Sequence, residues 1–187
     1  PILEGYIAEA QNLDGFGTNS PLFMRFQNPM DTTLLPTPDE SAHPDSPLFL
    51  LNIDPLSDAR GTLTPIEWHF QTEATRWQPE NLLAVQPVWG MPLRPRTRYA
   101  LVVTTDIAQK ESPFADLWHR SQPEYAAWQD LADTLRLAHI DQDRVAYASQ
   151  FTTQDTTGEM ARLVYRVQEG MRSDPLDQEL EFIRSNA

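Results

Sequence analysis

Proline sets the grain of this sequence. Sixteen of its 187 residues are Pro and seven are Gly. The backbone is therefore interrupted too often for a long helical bundle and falls into short segments divided by turns. Five segments in the first 110 residues carry the aromatic and branched side chains of strands: Pro21–Phe26, Leu48–Ile53, Pro65–Phe70, Leu82–Gln86 and Thr97–Thr104. Ile66, Trp68 and Phe70 alternate with Glu67 and His69, which predicts a strand with one buried face. Short strands recurring between turn signals favour an antiparallel sandwich over a parallel α/β sheet.

Beyond residue 113 the period lengthens. Ser121-x-x-Glu124 matches a capping box with Pro123 in its first turn, and Tyr125, Trp128, Leu131, Leu135 and Ala138 then share one helical stripe. A strand follows over Val145–Thr152. Thr156-x-x-Glu159 is a second capping box, leading into Met160, Leu163, Val164, Val167 and Met171 at helical spacing. Asp174-Pro175 opens a last short helix with Leu176, Leu180 and Ile183 inward. The stretch Leu35–Pro47, with four prolines, reads as a mobile surface loop. The expectation is a mainly β fold with added helices: a sandwich from 1–112 and 144–154, a helical insertion at 113–143, and C-terminal helices at 155–187.

The net charge is −13, from 14 basic and 27 acidic residues. Such a field repels phosphate backbones and anionic membrane surfaces, so nucleic acid is not an expected partner. No run approaches the roughly 18 apolar residues of a membrane helix. Cysteine is absent, which removes disulfides and thiolate chemistry. The chain starts at Pro1 rather than Met and reads as a piece of a longer protein.

Few residues suggest chemistry. The sequence holds no Gly-x-Ser-x-Gly elbow; Ser20 comes nearest, but Pro21 directly after it lacks the N–H an oxyanion hole would use. His43, His69, His119 and His139 show no metal-ligand spacing, and a structural role is expected for all four. Asp54 and Asp58 bracket a turn and form a weak calcium candidate, against the simpler reading that their side chains bond the local backbone. Arg94, Arg96 and Arg98 would share one face of an extended segment and could meet a carboxylate or an acidic partner, or else guard a sheet edge. Among five tryptophans, Trp68 and Trp128 fall on inferred core faces. Trp77 and Trp89 lie near loops and are the pair that could stack on a sugar. No catalytic residue and no cofactor are assigned.

Two stretches carry a family resemblance. Leu13-Asp-Gly-Phe-Gly-Thr-Asn-Ser-Pro-Leu-Phe-Met-Arg-Phe26, with Pro29-Met-Asp31, resembles the opening of the immunoglobulin-like domain at the front of exported bacterial lipase-like α/β-hydrolases. Asn81–Pro87, then Pro92-Leu-Arg-Pro-Arg-Thr-Arg-Tyr-Ala-Leu-Val-Val-Thr104, resembles a later strand of that domain and is similar to bacterial Ig-like domains of the S-layer type. There an early Tyr packs over the sandwich corner, and Tyr99 matches it. Ala146–Gln154 looks like the junction into a helix. The sequence departs from the family at Thr105–Glu111, where an Arg-Asp-x-x-Gly turn is usual.

The resemblance implies an immunoglobulin-like antiparallel sandwich with two or three C-terminal helices, serving as a non-catalytic accessory domain of an exported hydrolase. The catalytic α/β-hydrolase domain would follow residue 187 and be the principal partner, with residues 155–187 as the link. Self-association through the C-terminal helix is a further partner expectation. The alternative function is an independent glycan- or protein-binding adhesion module.

Overall fold

The computed structural model describes residue 10, residues 13–109 and residues 125–172. His119, Trp118, the Ser121-x-x-Glu124 capping box, the side chain of Met171 and the helix expected from Asp174-Pro175 lie outside the described residues. The chain divides into two compact units, Pro1–Gln154 and Asp155–Ala187.

Among the described residues, the first unit holds seven strands in two antiparallel sheets. They are β1 (Leu22–Arg25), β2 (Leu48–Asn52), β3 (Leu63–Thr64), β4 (Ile66–Gln71), β5 (Leu82–Pro87), β6 (Arg98–Thr104) and β7 (Val145–Thr152). One sheet has the order β1-β5-β4 and the other β3-β2-β6-β7. Helical elements among its described residues include a single turn, α1 (Pro38–Ser41), and α2 (Tyr125–Leu137).

Pleat alternation explains how the layers assemble. In β2, Leu48 and Leu50 face the interior between the sheets, whereas Phe49 and Leu51 face the opposite way. In β6, Tyr99, Leu101 and Val103 point to the inter-sheet core, and Ala100 and Val102 point out. Met24, Ile66, Leu83 and Val85 complete the inter-sheet core from the other sheet. The outward set is covered by Leu131 and Leu135 of α2, with Trp128 packed alongside. The described part of the first unit is thus sheet, sheet and helix in three layers, with the central strands of the four-stranded sheet buried on both faces. Two-sided burial is why β2 and the middle of β6 read as unbroken apolar runs, while β4 alternates.

Local bonds fix the connections. α2 ends where His139 adopts a left-handed φ of 57°, with Ile140 N donating to Leu135 O at 2.8 Å. Arg144 bridges two loops: it donates to Asp106 Oδ2 at 2.8 Å and to Asp45 O at 2.9 Å. Gly15 passes so close to the end of β7 that a Cβ there would sit 2.7 Å from Gln154 N and Thr152 O. That approach lets Phe16 N donate to Thr152 O, and Gln154 N to Phe16 O.

The Leu35–Pro47 stretch is not the mobile loop its composition suggested. Thr37 and Glu40 close a capping box around α1. Ser41 is fully buried; its hydroxyl donates to Pro38 O at 2.6 Å and accepts from Ile66 N at 2.9 Å. Trp68 Nε1 donates to Pro36 O at 2.7 Å. Buried polar anchors on β4 therefore override the proline signal.

The second unit contains α3 (Gly158–Arg172). The carboxylate of Asp155, rather than Thr156, caps its start, accepting from Thr157 N at 3.2 Å and Gly158 N at 2.8 Å. Met160, Leu163, Val164 and Val167 of α3 are exposed. No helix among the described residues is long and apolar enough to cross a membrane.

Two predictions follow from the packing and the loop clamp. Phe49→Ala and Leu50→Ala empty opposite faces of one strand. Each is expected to lower unfolding stability by about 2–5 kcal/mol in denaturant titrations; a loss confined to Leu50→Ala would mean that the helical layer does not hold the sheet. For Asp106, the hydrogen bond from the Arg144 guanidinium, aided by the Thr104 hydroxyl, holds the carboxyl below its ordinary value near 3.8. Its contribution is present above that value and disappears as pH falls through the lower folded value. Asp106→Asn should flatten the acid limb of the stability curve below pH 4 while costing less than about 1 kcal/mol at neutral pH, because both side chains are partly solvated.

Candidate functional site

The acidic and arginine candidates gather around the two loops that flank the start of β6. The β2–β3 loop is built on Asn52, which is 1% exposed. Its Oδ1 accepts from Asp54 N at 3.1 Å, and its Nδ2 donates to Ser57 Oγ at 3.0 Å. Asp54 in turn accepts from Leu56 N at 2.8 Å through Oδ1 and from Arg98 N at 3.0 Å through Oδ2. Asp58 pairs with Arg94. Asp54 thus bonds the local backbone, the simpler of the two sequence readings for it, whereas Asp58 meets a distant arginine side chain instead. Among the described residues, no group of three or more His, Cys, Asp or Glu side chains gathers to hold a metal ion.

The β5–β6 loop carries Arg94 and Arg96, with Arg98 opening β6, and here the structure corrects the sequence. Arg96 has a left-handed φ of 53°, so residues 94–98 are not extended and the three side chains do not form one row. Arg98 reaches across to Asp130 of α2 instead. Arg60 reinforces that link, donating through Nε to Thr134 Oγ1 at 2.8 Å and through Nη2 to Asp130 O at 3.2 Å. The turn at Arg96 is held from two sides. Thr153 Oγ1 donates to Arg94 O at 2.6 Å, Thr97 N donates to Thr153 Oγ1 at 2.9 Å, and Arg96 N donates to Gln154 O at 3.3 Å. Together the two loops enclose an open polar depression of about 510 Å³, lined by Asp54, Leu56, Asp58, Arg94 and Arg96. Charges of both signs on fixed loops suit a contact with a charged partner surface.

Tyr99 anchors this end of the molecule. It is 3% exposed, and its hydroxyl accepts from Arg94 N at 3.1 Å. Its ring stacks on Phe151, with centroids 6.0 Å apart, and Phe16 meets Phe151 edge-on at 5.6 Å. Burial pushes the Tyr99 hydroxyl above its ordinary value of 10.0, opposed by the bond from the Arg94 amide.

Trp77 and Trp89 are 82% and 80% exposed. They do not make a common platform. Trp77 lies in the β4–β5 connection, with the Arg76 guanidinium 4.7 Å from its ring centroid. Trp89 lies in a turn closed by Met91 N to Val88 O at 3.0 Å, with Gly90 at φ 86°. The six residues of β5 separate the two turns, a span of roughly 20 Å at about 3.3 Å per residue. Ser20 closes a turn by donating its N–H to Gly17 O at 3.1 Å. His69 is exposed on the outer face of the three-stranded sheet, beside Glu67, and His43 lies after α1.

No family model matches the chain, and no curated protein or solved structure matches it.

Tyr99→Phe tests the anchor. Removing the hydroxyl strips the Arg94 amide of its acceptor, and neutral-pH stability should fall by about 1 kcal/mol in urea titrations. Because the folded value is raised, the Tyr99 contribution is intact below pH 10 and disappears as pH climbs through the folded value. The variant should lose part of the alkaline decline seen in the parent. Identical curves for both proteins would remove the hydroxyl from the anchoring role.

Proposed function

We propose that this chain is a non-catalytic, immunoglobulin-like accessory domain of an exported bacterial lipase-like hydrolase, acting to position or shield a catalytic domain or to hold it to a surface. One observation carries the fold part of this reading. Taking β1 as strand B and β7 as strand G, the sheets have the orders B-E-D and C′-C-F-G, the immunoglobulin arrangement. Strand A has no counterpart among the described residues. Tyr99 stands near the start of the F equivalent, and its hydroxyl returns to the backbone five residues upstream, as a tyrosine corner does.

The functional part rests on what the interior is made of. The two cores are filled by aliphatic and aromatic side chains. The ionisable groups that the sequence singled out serve loop anchoring and inter-element ion pairs. In this reading α3 makes the contact with the catalytic domain, its exposed Met160, Leu163, Val164 and Val167 forming the apolar surface. Self-association through the same helix is the competing use of that surface. The adhesion alternative draws on the exposure of Trp77 and Trp89, but their separation means that each indole would have to act alone.

The reading frame beyond Ala187 is the decisive test. It should continue into an α/β-hydrolase segment with a Gly-x-Ser-x-Gly elbow, and the purified chain should leave a panel of p-nitrophenyl esters unhydrolysed. A stop codon directly after Ala187, or ester turnover by the isolated chain, would overturn the proposal.

A further inference from the structure

At the end of β6 remote from Tyr99, the interior between the sheets opens outward. Past the C-terminal ends of β1 and β6 lies a cavity of about 490 Å³, within the roughly 300–1,000 Å³ typical of small-molecule sites. Its apolar wall is made by Met24, Phe26, Met30, Ile107, Ala108 and Tyr147. All six belong to the inter-sheet core or pack directly against it. The cavity is therefore an extension of the hydrophobic interior, lined on one side by the Phe26–Met30 turn and on the other by the Ile107–Gln109 turn. Two of its six apolar residues are methionines, whose unbranched side chains adapt to irregular apolar guests.

The turn after β1 is held in place from behind. Phe26 N donates to Asn81 O at 2.9 Å, and Asn81 Nδ2 reaches Gln27 O at 3.5 Å. Asn81 has a left-handed φ of 55° and is 5% exposed. This wall is thus fixed by the first residues of the β5 hairpin rather than by the contents of the cavity.

The rim is polar and includes Arg25, Gln27 and Gln109. Arg25 and Arg76 differ from most arginines of the described fold, and of the two only Arg25 lines the cavity, Arg76 lying over the Trp77 ring. Arg60, Arg94, Arg98 and Arg144 each bond to an acceptor on another segment, and Arg136 bonds to Asp133 and Tyr125 of its own helix. Arg25 is exposed and has no ion pair or side-chain hydrogen bond among the described residues. A hollow with an apolar wall, a polar rim and an exposed arginine among its lining residues suits an amphiphile with an anionic head. The net charge of −13 acts against an anion at long range, but salt screens that field beyond roughly 8 Å, and the local cation decides.

We propose that this cavity binds a medium-chain carboxylate, the alkyl tail against Met24, Phe26, Met30 and Ile107 and the head group beside Arg25. The site does not depend on the hydrolase reading: an adhesion module or an accessory domain could carry it equally.

Calorimetric titration of the purified chain with decanoate and decanol, both below their aggregation limits, tests the proposal. Both ligands should bind saturably at one site. Arg25→Gln, at an exposed position that leaves the fold intact, should weaken decanoate about fivefold, the value of one solvated charge contact, and leave decanol unchanged. Ala108→Trp should fill the hollow and abolish both, with circular dichroism verifying the fold; if that variant unfolds, Arg25→Gln still decides. Absence of saturable binding to the parent chain overturns the site. So does binding that a folded Ala108→Trp leaves untouched. Equal loss of decanoate and decanol in Arg25→Gln, or no loss of decanoate, overturns the assignment of the head group.

Discussion

Everything else in this fold leans on a sheet that has no solvent face. β2 and β6 sit between the inter-sheet core and the α2 layer, and every residue of β2 is buried. A strand in that position has no freedom of register, because a slip of one residue would exchange Leu48 and Leu50 for Phe49 and Leu51 across two differently shaped cores. Paired with it, β6 inherits the same constraint through Leu50 opposite Leu101 and Asn52 opposite Tyr99. The loops at both ends are positioned by this rigid pair, which is why the depression at Arg94 and the cavity at Met24 lie at opposite ends of β6.

Burial alone would leave the loops free. What fixes them is a small set of nearly buried polar side chains, each bonded to backbone at a chain crossing. Ser41 joins α1 to β4, Asn52 organises the β2–β3 loop, and Thr153 holds the β5–β6 loop. Each such group would be costly unpaired, by about 1–3 kcal/mol, so each specifies one arrangement of its loop. Tyr99 works in both registers at once, filling the core with its ring and restraining Arg94 with its hydroxyl. The unusual backbone at Arg96 persists because bonds on either side over-determine it.

The sheets were largely legible in the sequence because period-2 alternation and turn residues are local signals. All five early strand segments and the later Val145–Thr152 segment correspond to observed strands. The two-residue β3 was too short to show a period. The order of the strands, and hence the layers, depends on pairings between distant segments that no local pattern encodes. The same limit applied to sites. Arg94, Arg96 and Arg98 alternate in sequence, but a left-handed residue between them breaks the row, and an arginine gives no warning of that conformation. Trp77 and Trp89 could be recognised as loop residues, yet their separation required the length of β5. The cavity beside Arg25 was invisible because Met24, Ile107 and Tyr147 come from three separate strands or turns and look, one by one, like ordinary core residues.

The close passage of Gly15 along β7 has an outcome for the molecule in company. An outer strand normally offers its unpaired amides and carbonyls to any extended chain that drifts by. Here residues 15 and 16 occupy the far end of that margin, and the aromatic trio Phe16, Phe151 and Tyr99 lies behind them. Part of the perimeter is consequently sealed by the chain's own leading segment, which discourages neighbours in a crowded environment from zipping onto it.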